Sequence, residues 1–191
     1  MSILNITPDS FFATSRAENE ADIRARVERM IAEGADIIDI GGYSTRPGAS
    51  DVPTDEEVAR VLLGVRVVRE VAPTVPISID TFRSEVAEAV LSRYDNIIIN
   101  DISAGERDGR MAEVVAKWEA PMVVMHSRGT PKTMQSLTHY EDVVTEVRDY
   151  LAQRAEWLRS KGVKDIILDP GIGFAKDDVQ NFALLAGLEQ I

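Results

Sequence analysis

Six times along the chain a short apolar run ends in a side chain that can donate or accept hydrogen bonds. The polar residues are Asn5, Asp39, Asp80, Asn100, His126 and Asp169, with Met125 beside His126. At neutral pH, aspartates with an ordinary pKa near about 4 are acceptors only. Two or three such acceptors with one amide suit a flat heterocycle that presents several N–H donors. The same oxygens also suit Mg²⁺, and any one Asp serves as readily to cap a loop or a helix N-terminus. Residue type alone leaves these readings open.

The elements that must position these residues follow one pattern. Ile97-Ile-Ile99 is too short and too β-branched for a helix and fits a strand buried on both faces, as in a parallel sheet. Strands are expected over Ser2 to Thr7, Ala35 to Gly41, Val75 to Asp80, Asn96 to Asp101, Pro121 to His126 and Asp165 to Asp169. Helices are expected from about Asn19 to Glu33, from Thr54 to Pro73, from Ser84 to Ser92, over Met111 to Trp118, from about Tyr140 to Lys161, and from near Asp178. Thr54-Asp-Glu-Glu57 reads as a capping box. Met111, Val114, Val115 and Trp118 form one helical face.

Strand, loop and helix repeated six times predicts a parallel α/β fold. No Gly-x-Gly-x-x-Gly follows the first strand, so the main cue for a dinucleotide-binding sheet is missing. A (β/α)8 barrel brings every strand end to one face, which suits polar residues at all six. Such a barrel needs eight strands and about 250 residues, whereas this chain has 191. The expectation is one barrel domain over residues 1–191, truncated at its C-terminus and supplying about six β/α units.

The composition narrows the function classes. A net charge of −11 argues against nucleic acid or an anionic membrane as partner. The absence of cysteine excludes disulfides, thiolate metal sites and Cys catalysis. No run approaches a membrane span, and the N-terminus has no signal-peptide pattern. A cytoplasmic location is expected.

Six stretches in order carry a resemblance: Ile3 to Phe11, Asp39 to Gly48, Ile77 to Thr81, Ile99 to Ile102, Met125 to Pro131 and Asp169 to Phe174. Together they resemble dihydropteroate synthase. The resemblance implies a pterin-binding TIM barrel and a transferase of folate biosynthesis. That family joins 6-hydroxymethyl-7,8-dihydropterin diphosphate to p-aminobenzoate, giving 7,8-dihydropteroate and pyrophosphate. It also implies that Asp80, Asn100 and Asp169 hold the pterin, with Ile102 and Met125 as apolar walls. Asn5 matches a magnesium contact, so Mg²⁺ is the expected cofactor. Thr7, Phe11, Ser44, Thr45, Arg46 and Pro47 lie on two loops that would close over the diphosphate and p-aminobenzoate. Small-molecule substrates and a homodimer of the full-length protein are the implied partners. His126 and Lys176 are read as structural.

The chain also departs from that pattern. Phe12-Ala-Thr-Ser15 stands where the family has Ser-Asp-Gly-Gly, and Tyr43 where it has Glu. Strands seven and eight, with their Ser-Lys and Arg-x-His, have no counterpart, so this 191-residue chain is expected to lack turnover that its intact parent has. A methyltetrahydrofolate-dependent methyltransferase, or a pterin-binding fragment without complete chemistry, are the alternatives. Ser44-Thr-Arg-Pro47 argues against the methyltransferase, which has no diphosphate to hold.

Overall fold

The computed structural model describes residues 1–6, 16–43, 52–130 and 133–191. Its elements in chain order are β1 (Ser2–Asn5), α1 (Arg16–Ala32), β2 (Ile38–Gly41), α2 (Thr54–Val71), β3 (Ile77–Asp80), α3 (Ser84–Leu91), β4 (Ile97–Asp101), α4 (Met111–Trp118), β5 (Met122–Met125), α5 (Val143–Ser160), β6 (Ile166–Asp169) and α6 (Asp178–Ala186). All six expected strand–helix pairs are present. The chain divides into two compact units, which part between Asn100 and Asp101.

In the first unit β1, β2, β3 and β4 pair in parallel and in chain order. The register brings Asn5 opposite Gly41, Gly41 opposite Asp80, and Asp80 opposite Asn100. Ile38, Ile40, Ile77, Ile79 and Ile99 are wholly buried, and so are Ile23, Val27, Val61, Val65 and Val68 from α1 and α2. β-Branched side chains suit the pleat, and each one buried contributes about 1.5–3 kcal/mol. On the outer side α1 and α2 are joined by Arg66 to Glu20 at 2.7 Å and by Arg24 to Glu70. Those exposed pairs contribute little. The core does the holding.

In the second unit β5 and β6 pair in parallel, with Met125 opposite Asp169. Met111, Val115, Met122, Val124, Val147, Leu151 and Leu158 are buried there. Helix α4 keeps its expected bounds, but Trp118 is 38% exposed, so the apolar face ends at Val115. The last turn has run past the edge of the core, and the indole lies under the Lys117 ammonium.

Helix α1 begins at Arg16 rather than about Asn19, and two further helix N-termini differ from expectation for local reasons. The capping box expected at Thr54 does not form: Pro53 is the N-cap and no side chain caps the helix. Glu57 turns inward instead, because Thr81 and Arg83 offer it buried donors. A capping box does form at α6, where Asp177 accepts from Gln180 N and the Gln180 side chain accepts from Asp177 N. Helix α5 begins later than expected, at Val143, since the Asp142 carboxylate accepts from Val144 N and Thr145 N at 3.0 Å.

Candidate functional site

In the first unit, side chains two residues apart on a strand share a face. Asn5, Gly41, Asp80 and Asn100 therefore make one row across four strands, at the carboxyl end where parallel sheets bind ligands. Gly41 keeps the row open. A Cβ there would stand 3.0 Å from Asn5 Oδ1 and 3.5 Å from Asp80 Oδ2. One turn of the pleat below, Asp39 faces Ser78. Because Ser78 is small, the Asn100 amide reaches past it and donates from Nδ2 to Asp39 Oδ1 at 3.3 Å. A carboxylate only accepts, so this contact fixes which way the amide points. Its oxygen is left to accept from a ligand N–H.

Asp39 is 5% exposed, and burial pushes its carboxyl above the ordinary range, opposed by the Ser78 and Asn100 side chains. The Ser78 hydroxyl is itself buried and falls short of good hydrogen-bond geometry. The Asp39 charge thus leans on Asn100.

The same unit holds an ion pair with one buried member. Glu57, wholly buried, accepts from Thr81 Oγ1 at 2.7 Å and from Arg83 Nη1 at 2.6 Å. Arg83 Nη1 also donates to Val52 O at 2.7 Å, and its guanidinium lies 5.1 Å from the Tyr43 ring centre. Tyr43 meets Phe82 edge to face at 5.3 Å. The Tyr at 43, a departure from the resembled pattern, is thus packed against its own aromatic and cationic neighbours.

In the second unit Asp101 is wholly buried and builds the turn that carries Ile102. Its carboxylate accepts from Ser103 N at 2.7 Å, Ser103 Oγ at 2.6 Å and Gly105 N at 2.9 Å. Burial raises its pKa and these three donors oppose the rise. Ile102 then lines a cavity of about 130 Å³ together with Ser127, Tyr150 and Phe174.

Met125 is buried at the end of β5, next to Asp169 at the end of β6. Asp169 accepts from Gly171 N at 2.7 Å through Oδ1, which leaves Oδ2 for another donor. Gly171 has φ 69°, and a Cβ there would fall 2.0 Å from His126 O. Only glycine fits so close an approach.

The expected site residues thus fall in two groups, with Asn5, Asp80 and Asn100 in the first unit and Ile102, Met125 and Asp169 in the second. Thr7, Phe11, Ser44, Thr45, Arg46 and Pro47 lie outside the described residues. Among the described residues no group of three or more His, Cys, Asp or Glu is placed to hold a metal ion. No helix among them is long and apolar enough to cross a membrane. Sequence reading missed the supporting roles of Asp39, Glu57 and Asp101. Asp39 and Asp101 lie in strands and Glu57 in the first turn of α2, and only their partners distinguish them from solvated carboxylates.

The pterin binding enzyme family model matches residues 1–191. The chain belongs to the pterin-binding enzyme family. It is 42% identical over 193 residues to the dihydropteroate synthase of Synechocystis, covering all of this chain and 66% of that one. It is 43% identical over 194 residues to the folic acid synthesis protein fol1 of Schizosaccharomyces pombe, covering 26% of that protein. The chain therefore spans at most about two thirds of these relatives. Among solved structures it resembles a Xanthomonas albilineans dihydropteroate synthase with 4-aminobenzoic acid, at 39% identity and TM-score 0.82, over 98% of this chain and 66% of that one. It also resembles a Clostridium difficile dihydropteroate synthase determined in the presence of pteroic acid, at 38% identity and TM-score 0.87, over 100% and 70%. This member of the family shares the α/β fold class of those enzymes, the (β/α)8 barrel, and carries six of its β/α units.

Proposed function

We propose that this pterin-binding protein is a dihydropteroate synthase, a transferase that condenses 6-hydroxymethyl-7,8-dihydropterin diphosphate with p-aminobenzoate, releasing pyrophosphate in folate biosynthesis. The observation that carries the reading is the Asn100 amide, oriented by Asp39 and set opposite Asp80. A carboxylate can accept two N–H donors from an aminopyrimidinone edge, while an amide held by its nitrogen offers one more acceptor. Asp169, with Oδ1 engaged by Gly171 N, supplies a further acceptor, and Ile102 and Met125 supply apolar wall. The chemistry is substitution at the exocyclic CH2, and the protein contributes position and charge complementarity rather than a covalent intermediate.

Asn5 fits a supporting role toward Mg²⁺. Its Oδ1 borders the gap that Gly41 leaves open, and a single neutral oxygen suits a metal held mainly by the diphosphate. Such a metal would stabilise the departing anion. The loop residues Thr7, Phe11, Ser44, Thr45, Arg46 and Pro47 complete the reading as contacts to diphosphate and p-aminobenzoate. A cytoplasmic location, expected from the sequence, and a homodimer of the full-length enzyme, implied by the resemblance, go with it.

Calorimetric titration of this chain with the dihydropterin diphosphate, with and without Mg²⁺, tests the proposal. Mg²⁺-dependent binding that is lost in Asp80→Ala and in Asp169→Ala is the expected result. No binding by a chain shown to be folded would overturn it. Because the chain spans about two thirds of its synthase relatives, a pterin-binding unit without turnover is the second reading. A product assay on the full-length protein separates the two, since this chain alone is expected to give no product under either.

A further inference from the structure

The loop Pro170 to Lys176 that follows β6 is folded around a buried cation. Gly171, Gly173 and Ala175 have φ of 69°, 85° and 53°. Left-handed residues in quick succession turn backbone carbonyls toward the inside of a loop, where each needs a donor. Lys176 supplies it. Its ammonium, on a residue 3% exposed, donates to Phe174 O at 2.8 Å and to Gly171 O at 2.9 Å. A third contact runs to His126 Nδ1 at 3.0 Å, with His126 O farther off at 3.4 Å. An ammonium has three N–H donors, and three close acceptors are present.

We propose that Lys176 is a positioning residue for pterin binding, which ties the β6–α6 loop to the end of β5 and thereby aims Asp169 and Phe174. The connection to Asp169 runs through Gly171. The same residue gives its carbonyl to Lys176 and its N–H to Asp169 Oδ1. The connection to the cavity wall runs through Phe174, whose carbonyl is the closest acceptor. His126 takes part as a neutral ring with its proton on Nε2, since Nδ1 must accept. Burial and the neighbouring Lys176 and Arg128 charges favour that neutral form, as its lowered pKa reflects. The charged groups facing the ammonium are Asp169, which favours it, and Arg128, which opposes it.

The inference rests on the pterin reading, and its test keeps the two apart. Two readouts are made on the whole 191-residue chain: affinity for 6-hydroxymethyl-7,8-dihydropterin diphosphate by calorimetry, and the backbone amide signals of Gly171 and Phe174 by NMR without ligand. Lys176→Met is expected to lower affinity tenfold or more and to move both amide signals while β1–β3 signals stay in place. Lys176→Ala is expected to regain affinity with added ethylammonium but far less with ethanol, which is of similar size and has one O–H to donate in place of three N–H. Simple loss of packing would not show that selectivity. Should Lys176→Met fail to fold, Lys176→Gln takes its place, with two donors and an expected intermediate loss. A folded variant with wild-type affinity and unmoved Gly171 signals overturns the inference. If the wild-type chain binds no pterin, the functional reading fails, and the Gly171 and Phe174 signals still decide whether Lys176 sets the loop.

Discussion

Asn100 Nδ2 lies 3.3 Å from Asp39 Oδ1, so a side chain on β4 is held by one on β2 across the strand between them. Removing the acceptor frees the part-buried amide to turn and loses a charge-assisted hydrogen bond, which costs about 1 kcal/mol. Asp39→Ala is therefore expected to weaken pterin binding by tenfold or more in calorimetry. Asp39→Asn, which can still accept through its own amide oxygen, is expected to lose less than Asp39→Ala. Equal, wild-type affinity in both would show that Asn100 needs no holder.

Gly41 leaves the gap between Asn5 and Asp80, and a methyl there is tight rather than impossible, at 3.0 Å from the Asn5 amide oxygen. Gly41→Ala is expected to keep the fold, with a melting temperature within a few degrees of wild type. It should reduce the difference between binding with and without Mg²⁺, because Asn5 must give way. An unchanged Mg²⁺ dependence would remove Asn5 from the proposed contact.

Glu57 is a buried carboxylate with two donors, and because Arg83 is part-exposed and keeps Val52 O, removing Glu57 costs about 1–3 kcal/mol. Glu57→Ala is expected to lower stability by that order in urea unfolding, with Glu57→Gln milder because Thr81 Oγ1 keeps an acceptor. A midpoint unchanged in Glu57→Ala would contradict the role given to this network.

His126 is held neutral, its pKa brought down to about 4 by burial and then by the charges of Lys176 and Arg128. Between that value and the ordinary 6.5 the unfolded chain binds the extra proton. The stability contribution is complete above 6.5 and is lost as pH falls through the window to about 4. Burial likewise lowers Lys176 to about 8, so between 8 and 10.5 stability is expected to rise with pH. Thermal melts of wild type and His126→Gln across the acid window check the first effect. The variant should show the shallower acid loss, and parallel curves would count against it.

The fold was legible because it is written in local pattern. Ile97-Ile-Ile99 has no helical period, and Met111, Val114 and Val115 have nothing else, so β4 and α4 are found where they were expected. The strand-end polar residues were legible for the same reason, since each follows a buried run. Thr54 and Glu57 show where local pattern misleads. Their spacing is right for a capping box, but the part-buried Arg83 and the buried Thr81 compete for the carboxylate and win. Asp177 and Gln180, with no such competitor among their contacts, form the box.

The alternation of six strands and helices, the polar strand ends and the family they resemble could all be read along the chain. The reason is that apolar period and strand-end chemistry are properties of neighbours along the chain. Which way Asn100 points, that Glu57 is buried, and which acceptors gather around Lys176 came from folding in three dimensions. Those outcomes depend on partners far away in sequence, from 61 residues between Asp39 and Asn100 to 24 between Glu57 and Thr81 and 50 between His126 and Lys176. A buried charge is decided by which donors reach it, and register and packing alone settle that.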